Sequence, residues 1–181
     1  MAEVREVKPV KLFIGMLARD ARTFDAAVEY CAGEFGEEQN RSEVLAFDYT
    51  GYYTEEMGED LLRQFVVFRP LIDPAELPAI KLRTNDMEKE FAASGDWDVQ
   101  RPLNLDPGYV SSSVVVLASA KNHTHRLYLG SGIYGEVTLY FHKGTFTAWP
   151  WTYPDYQTGP YVNFFNEMRS RAIQQLRNEP D

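Results

Sequence analysis

One cysteine in 181 residues is too few for an internal disulfide framework and too few for a multi-cysteine zinc site. It points to a reduced, cytoplasmic setting. Long apolar runs are missing as well. The longest is Val114-Val115-Val116-Leu117-Ala118, whereas a bilayer span needs about 20 residues. The first residues, Met1-Ala2-Glu3-Val4-Arg5-Glu6, are charged, which is not the pattern of a secretory signal. The sequence contains no G-x-x-x-x-G-K-[S/T], no G-x-G-x-x-G, no G-x-S-x-G and no H-E-x-x-H. P-loop, Rossmann-type, α/β-hydrolase and zincin chemistry in their usual forms are thereby excluded. Basic residues are scarce: 18 Lys and Arg face 27 Asp and Glu, for a net charge of −9. Residues 20–98 hold 19 acids against 7 bases, a balance of −12, while residues 99–181 are close to neutral. A field of that sign repels phosphate backbones, so broad nucleic-acid binding is not expected. A small anionic partner for the near-neutral half is compatible with it.

What is present is enough apolar and aromatic material, 44% and 14%, for a sizeable core in one domain over 1–181. Lys11–Leu17 reads as a buried strand. Asp20 then caps a helix whose Phe24, Ala27, Val28, Cys31 and Phe35 fall on one face, and Gly36 stops it. Cys31 lies on that stripe and reads as a core thiol. Val44–Tyr49 and Gln64–Phe68 read as strands. A short turn at Asp73 leads to a helix from Pro78, with Leu77, Ile80, Thr84, Met87 and Phe91 inward and Lys81 on the flank. Leu103 begins another strand. The order is β-α-β-β-α-β, so the expected class is α+β with a ferredoxin-like first half. The second half adds a buried helix from Val114 to Lys121, although its valines also suit a strand. An antiparallel meander over His125–Trp149 follows. The last helix carries Tyr161, Phe164, Phe165, Met168, Ala172 and Leu176 on one face.

The hairpin at Gly130-Ser131-Gly132 fixes a register by parity. Arg126 faces Glu136, and Tyr128 faces Tyr134. Leu127, Leu129, Val137, Leu139 and Phe141 share one face, and Thr138 and Tyr140 join the charged and tyrosine residues on the other. That polar-aromatic face suits a ligand cleft as well as a solvated surface. Asn104-Leu105-Asp106-Pro107-Gly108-Tyr109 reads as a strand end entering a type II turn. Asp106 there is a candidate for Mg²⁺ or for proton transfer, as is Glu136. His123-Thr124-His125 places two imidazoles in reach of each other without a third nearby, so His125 is a catalytic candidate rather than part of a metal triad. Trp149–Tyr156 is a proline-stiffened aromatic segment in which Trp151 can stack a ring and Asp155 can bind. The expected site therefore gathers Lys81, Asp106, His125, Arg126, Glu136 and Asp155, with Tyr128, Tyr134 and Trp151 as ring contacts.

Several ordered stretches carry a family likeness. They are Pro9–Phe13, Phe47–Tyr53, Glu76–Asn85, Asn104–Tyr109, His125–Gly130, Gly132–Leu139 and Trp151–Tyr156. Together they resemble an uncharacterised prokaryotic family, domain of unknown function 4416, over nearly the whole chain. The resemblance implies a stand-alone cytoplasmic protein of this length and supplies no reaction. From the residues themselves the expected function is binding, or conversion, of a nucleotide-like or other phosphorylated molecule. The alternative is a non-catalytic interaction module that uses the aromatic-polar sheet face.

Overall fold

A computed structural model describes residues 1, 3–95 and 97–178. These residues form an α+β fold of four helices and one antiparallel sheet of nine strands. The strands are β1 (Val10–Ala18), β2 (Glu38–Arg41), β3 (Leu45–Ala46), β4 (Leu62–Ile72), β5 (Asn104–Val110), β6 (Val114–Ser119), β7 (Leu127–Gly130), β8 (Ile133–His142) and β9 (Thr145–Ala148). The helices are α1 (Ala21–Phe35), α2 (Thr54–Met57), α3 (Leu77–Ala93) and α4 (Gly159–Asn178). Across the sheet the order is β2-β4-β1-β5-β6-β8-β7, with β3 beside β4 and β9 beside β8. Among the described residues, no helix is long and apolar enough to cross a membrane.

Strand β1 lies between β4 and β5 and is buried along its whole length, which its apolar run requires. Its side chains alternate between two cores. Leu12, Ile14 and Met16 pack with Phe24, Val28 and Cys31 of α1 and Ile80, Met87 and Phe91 of α3. Phe13 points the other way, into Phe65, Tyr156, Phe165 and Met168. α1 and α3 therefore cover one face, and α4 with the 3₁₀ turn Pro154–Gln157 covers the other. The Asp20 carboxylate accepts from the Arg22 amide at 2.9 Å, as an N-cap should. In α4, Tyr161, Phe164, Phe165, Met168 and Ala172 are buried, matching the expected inward face.

Four expectations need correction. Residues 114–119 form strand β6, not a helix, because three successive valines seat themselves between β5 and β8. Pro107-Gly108 is not a turn but the middle of β5. Proline is tolerated there because β6 joins β5 only from Gly108 onward, so one flank of Pro107 carries no ladder. The second strand of the first half is mainly Glu38–Arg41, and Val44–Tyr49 contributes only the two residues of β3. Finally, the β6–β8 register shifts between Val115 and Val116, which pair with Leu139 and Val137. This bulge sends Val137 towards Leu77 and Ile133, and Leu139 towards Phe13 and α4, so the two do not share a face.

Candidate functional site

The cleft originates in the sheet itself. β5 and β6 are paired only over Gly108–Val110 and Val115–Leu117. Before Gly108 on one strand and beyond Leu117 on the other, the ladder stops and the strands part. A concave space of about 570 Å³ opens there, lined by Asn104 and Asp106 on one side and Leu117 to Lys121 on the other. Aromatic side chains from the Phe47–Tyr53 loop and Tyr153 border it.

Lys81 enters this gap from α3. Its side chain is 8% exposed, and its ammonium donates to the Leu105 carbonyl at 2.9 Å and lies 3.5 Å from Asp106 Oδ1. A lysine buried this deeply needs such partners, which explains why it does not snorkel to water. Asp106 also accepts from Asn104 Nδ2 at 2.7 Å and stands 3.6 Å from Arg63 Nη1. Burial works to raise its pKa, but the Lys81 and Arg63 charges prevail and hold the carboxyl below its ordinary 3.8. Since the unfolded chain binds that proton more readily, Asp106 adds stability that is complete above pH 3.8 and is lost as pH falls through its lowered value. Asp106→Asn is therefore expected to be less stable than the parent at neutral pH. The gap should narrow in denaturation curves taken at successively lower pH below 3.8, and a gap independent of pH would contradict the assignment.

The hairpin register places Tyr128 opposite Tyr134, as parity requires. Arg126 and Glu136 meet at the cleft wall: Arg126 Nε donates to Glu136 Oε2 at 3.0 Å. Their side chains are only 3% and 1% exposed, so this is a buried pair rather than a surface one. Arg126 completes its fork with Ser119 Oγ at 2.8 Å, the Lys121 carbonyl at 2.9 Å and the Tyr153 hydroxyl at 2.8 Å. Glu136 further engages His125 Nε2 at 2.9 Å and accepts from Thr138 Oγ1 at 3.3 Å.

Arg63 on β4 forms the floor. It sits against the rings of Phe47, Phe65 and Tyr156. Gly15 makes room for it, because a Cβ there would lie 2.8 Å from Arg63 Nη1. Asp155, on the 3₁₀ turn, approaches Arg63 Nε at 3.4 Å. Burial raises the Asp155 pKa, with Arg63 opposing. Behind the lining residue Arg101, the buried Glu88 of α3 accepts from the Leu105 amide at 2.7 Å and from Arg101 Nη2 at 2.7 Å, which ties α3, β5 and the preceding loop together. Its pKa is raised by burial, against the pull of Arg101 and Lys81. Lys121 lies 3.6 Å over the Tyr52 ring at the mouth.

Five of the expected residues, Lys81, Asp106, Arg126, Glu136 and Asp155, line this one cleft. His125 stands behind it through Glu136. Trp151 lies outside the lining, stacked 5.6 Å from His125. Tyr128 and Tyr134 pair with each other at 5.4 Å on the outer hairpin and do not reach it. Arg63, just outside the strand expected at Gln64–Phe68, was missed, although alternation with Phe65 and Val67 marks it as inward-facing. Arg101, Glu88 and Lys121 carry no comparable mark. Neither Asp106 nor Glu136 is arranged for Mg²⁺. Each already faces cationic or donating side chains where a metal would stand, and the described residues contain no group of three or more His, Cys, Asp or Glu able to hold an ion.

These observations define an α+β protein with a charged, tyrosine-bordered cleft at a split in its sheet. A family model described as Domain of unknown function (DUF4416) matches residues 8–171, and the chain belongs to that family. No curated protein and no solved structure matches it significantly.

Proposed function

We propose that this chain is a cytoplasmic small-molecule-binding protein whose cleft takes a nucleotide-like or other phosphorylated molecule. The observation that carries the reading is convergence. Charged groups from α3, β4, β5, β8 and the loops around β7 and α4 line one concave space in a chain of net charge −9. The lining holds Arg63, Lys81, Arg101, Lys121 and Arg126 against Asp106, Glu136 and Asp155. Most of those cations already face a carboxylate, and among the described ion pairs Lys121 has none. A ligand with one compact anionic end and a larger polar body suits that balance. The buried thiol of Cys31, raised to about 12 by desolvation, supports a structural role for the cysteine. We also read the first half as ferredoxin-like, supported by the antiparallel order β2-β4-β1-β5 with α1 and α3 on one face.

The test is a thermal-shift panel of nucleoside 5′-monophosphates, sugar phosphates and inorganic phosphate on the full chain. A binder present at about 100 times its Kd adds about 2.7 kcal/mol and raises Tm by several degrees. A panel without any shift contradicts the reading.

One observation favours an interaction module instead. Leu127, Tyr128 and Leu129 are exposed on β7, at the edge of the sheet. Concentration-dependent sedimentation that disappears in Leu127→Lys would support that second reading.

A further inference from the structure

The cleft floor carries buried polar atoms that make no hydrogen bond within the described residues. Arg63 Nε and Nη1, Asp155 Oδ2 and the Tyr156 hydroxyl are all buried and make no hydrogen bond among the described residues; Arg63 Nε faces Asp155 Oδ2 at 3.4 Å and Arg63 Nη1 faces Asp106 Oδ2 at 3.6 Å, ion-pair contacts that leave their hydrogen bonds unmade. All three residues line the cleft, and Arg63, Asp155 and Tyr156 are 5%, 2% and 1% exposed. Buried polar groups in folded proteins are nearly always satisfied, and each orphan costs stability. Unmade hydrogen bonds on three residues that line the same space mark the place where a ligand bridges the loose Arg63–Asp155 pair and supplies what is missing. Their chemistry specifies that ligand. The Arg63 guanidinium can only donate, and Asp155 Oδ2, held against that guanidinium, is placed to accept. The occupant must therefore present an acceptor beside a donor. Phe47, Tyr53, Leu117 and Ala118 line the same cleft and give it flat apolar walls.

We propose that the floor of Arg63, Asp155 and Tyr156 reads the hydrogen-bonding edge of a nucleobase, and that the phosphate of a nucleoside monophosphate points outward to Lys121. The inference rests on the binding function proposed above and adds to it a ligand class and an orientation. Arg63 donates to a ring carbonyl or ring nitrogen, Asp155 accepts from the adjacent ring or exocyclic N–H, and the Tyr156 hydroxyl joins whichever edge atom is left. Lys121, a lining cation with no ion pair among the described residues, takes the phosphate where the cleft meets solvent.

The experiment is titration calorimetry of the full chain with each of the four common nucleoside 5′-monophosphates, with purine riboside 5′-monophosphate and with ribose 5-phosphate. Purine riboside lacks the exocyclic donor, and ribose 5-phosphate lacks the nucleobase. At least one common monophosphate should bind about tenfold or more tightly than either control, as expected when a buried polar site loses a partner. Tyr156→Phe removes only an unpartnered hydroxyl, so its melting temperature should match the parent's. It should weaken the preferred monophosphate by about tenfold and leave ribose 5-phosphate unchanged. Lys121→Ala should weaken both to the same extent. Equal affinity for the monophosphates and ribose 5-phosphate, or a Tyr156→Phe variant that keeps full affinity, overturns the edge-reading floor while leaving a phosphate-binding cleft in place. Failure of every phosphorylated probe to bind overturns both.

Discussion

Arg126→Ala is expected to remove about 3–5 kcal/mol of stability, because it strands the Glu136 carboxylate in a buried site with only His125 and Thr138 beside it. It also removes the donor that the Tyr153 and Ser119 hydroxyls accept from. Glu136→Gln keeps the shape but leaves a buried guanidinium without its counter-charge, so a loss of similar sign follows. An exposed cross-strand pair would behave otherwise, contributing under about 1 kcal/mol. Urea denaturation of the two single variants and of a double Arg126→Met/Glu136→Leu variant separates the cases. The double variant should recover much of what either single change loses, since an apolar pair of similar volume avoids the desolvation of two ions. Single variants within about 1 kcal/mol of the parent would show that the pair is solvated. The measurement matters for function because this pair holds the wall between β8, the Ser119–Lys121 segment and Tyr153.

Gly108→Ala is expected to be comparably severe. A Cβ at this position would lie 2.3 Å from the Val116 carbonyl oxygen and 2.5 Å from the Phe13 ring. The first neighbour is backbone in a paired strand and cannot swing away, and the second is fully buried between the sheet and α4. Overpacking a rigid site costs about 1–3 kcal/mol and sometimes more, and a backbone clash belongs at the upper end. Gly108 is also the last paired position before β5 and β6 part, so the same substitution should loosen the cleft wall. Gly33 is the internal control. It lies within α1, and a Cβ there meets nothing within 4 Å. Gly33→Ala should stabilise by roughly 0.5–1 kcal/mol through helix propensity alone. Equal effects at the two glycines, read from denaturation midpoints, would refute the packing argument.

The hairpin shows what a sequence can reveal about a site. Its glycine-rich loop fixes a register, the register fixes cross-strand neighbours, and so Arg126 meets Glu136 and Tyr128 meets Tyr134. Local chemistry of that kind is written in a short stretch of chain. The periodic faces of α1 and α4 were legible for the same reason. Residues 114–119 were not, because a short apolar run has no period to separate a buried strand from a buried helix. Glu38–Arg41 escaped notice because a half-buried strand made of Glu, Gln, Asn and Arg has no apolar alternation at all. Thr138 disguised the faces of β8, since one bulge reverses every inference drawn from alternation beyond it. The floor of the cleft was the least legible part. Arg63 and Asp155 are far apart in sequence and meet only because β4 and the turn before α4 pack on the same sheet face. Asp155 and Lys81 stand together in the one expected site on chemistry alone, as charged residues in apolar surroundings. Their common cleft depends on the strands parting, which no local pattern announces.

Backbone amide chemical-shift mapping of the isotope-labelled full chain with an equimolar mixture of the four common nucleoside 5′-monophosphates tests the cleft most directly. The account predicts saturable shifts grouped at Tyr49–Tyr53, Asn104–Asp106, Leu117–Lys121 and Tyr153–Tyr156, the segments that line the split in the sheet. The α1 segment Glu29–Phe35 and the Lys143-Gly144 turn, neither of which lines the cleft, should stay silent. Shifts confined to Leu127–Leu129 on the edge strand, or no shifts at all, would contradict it.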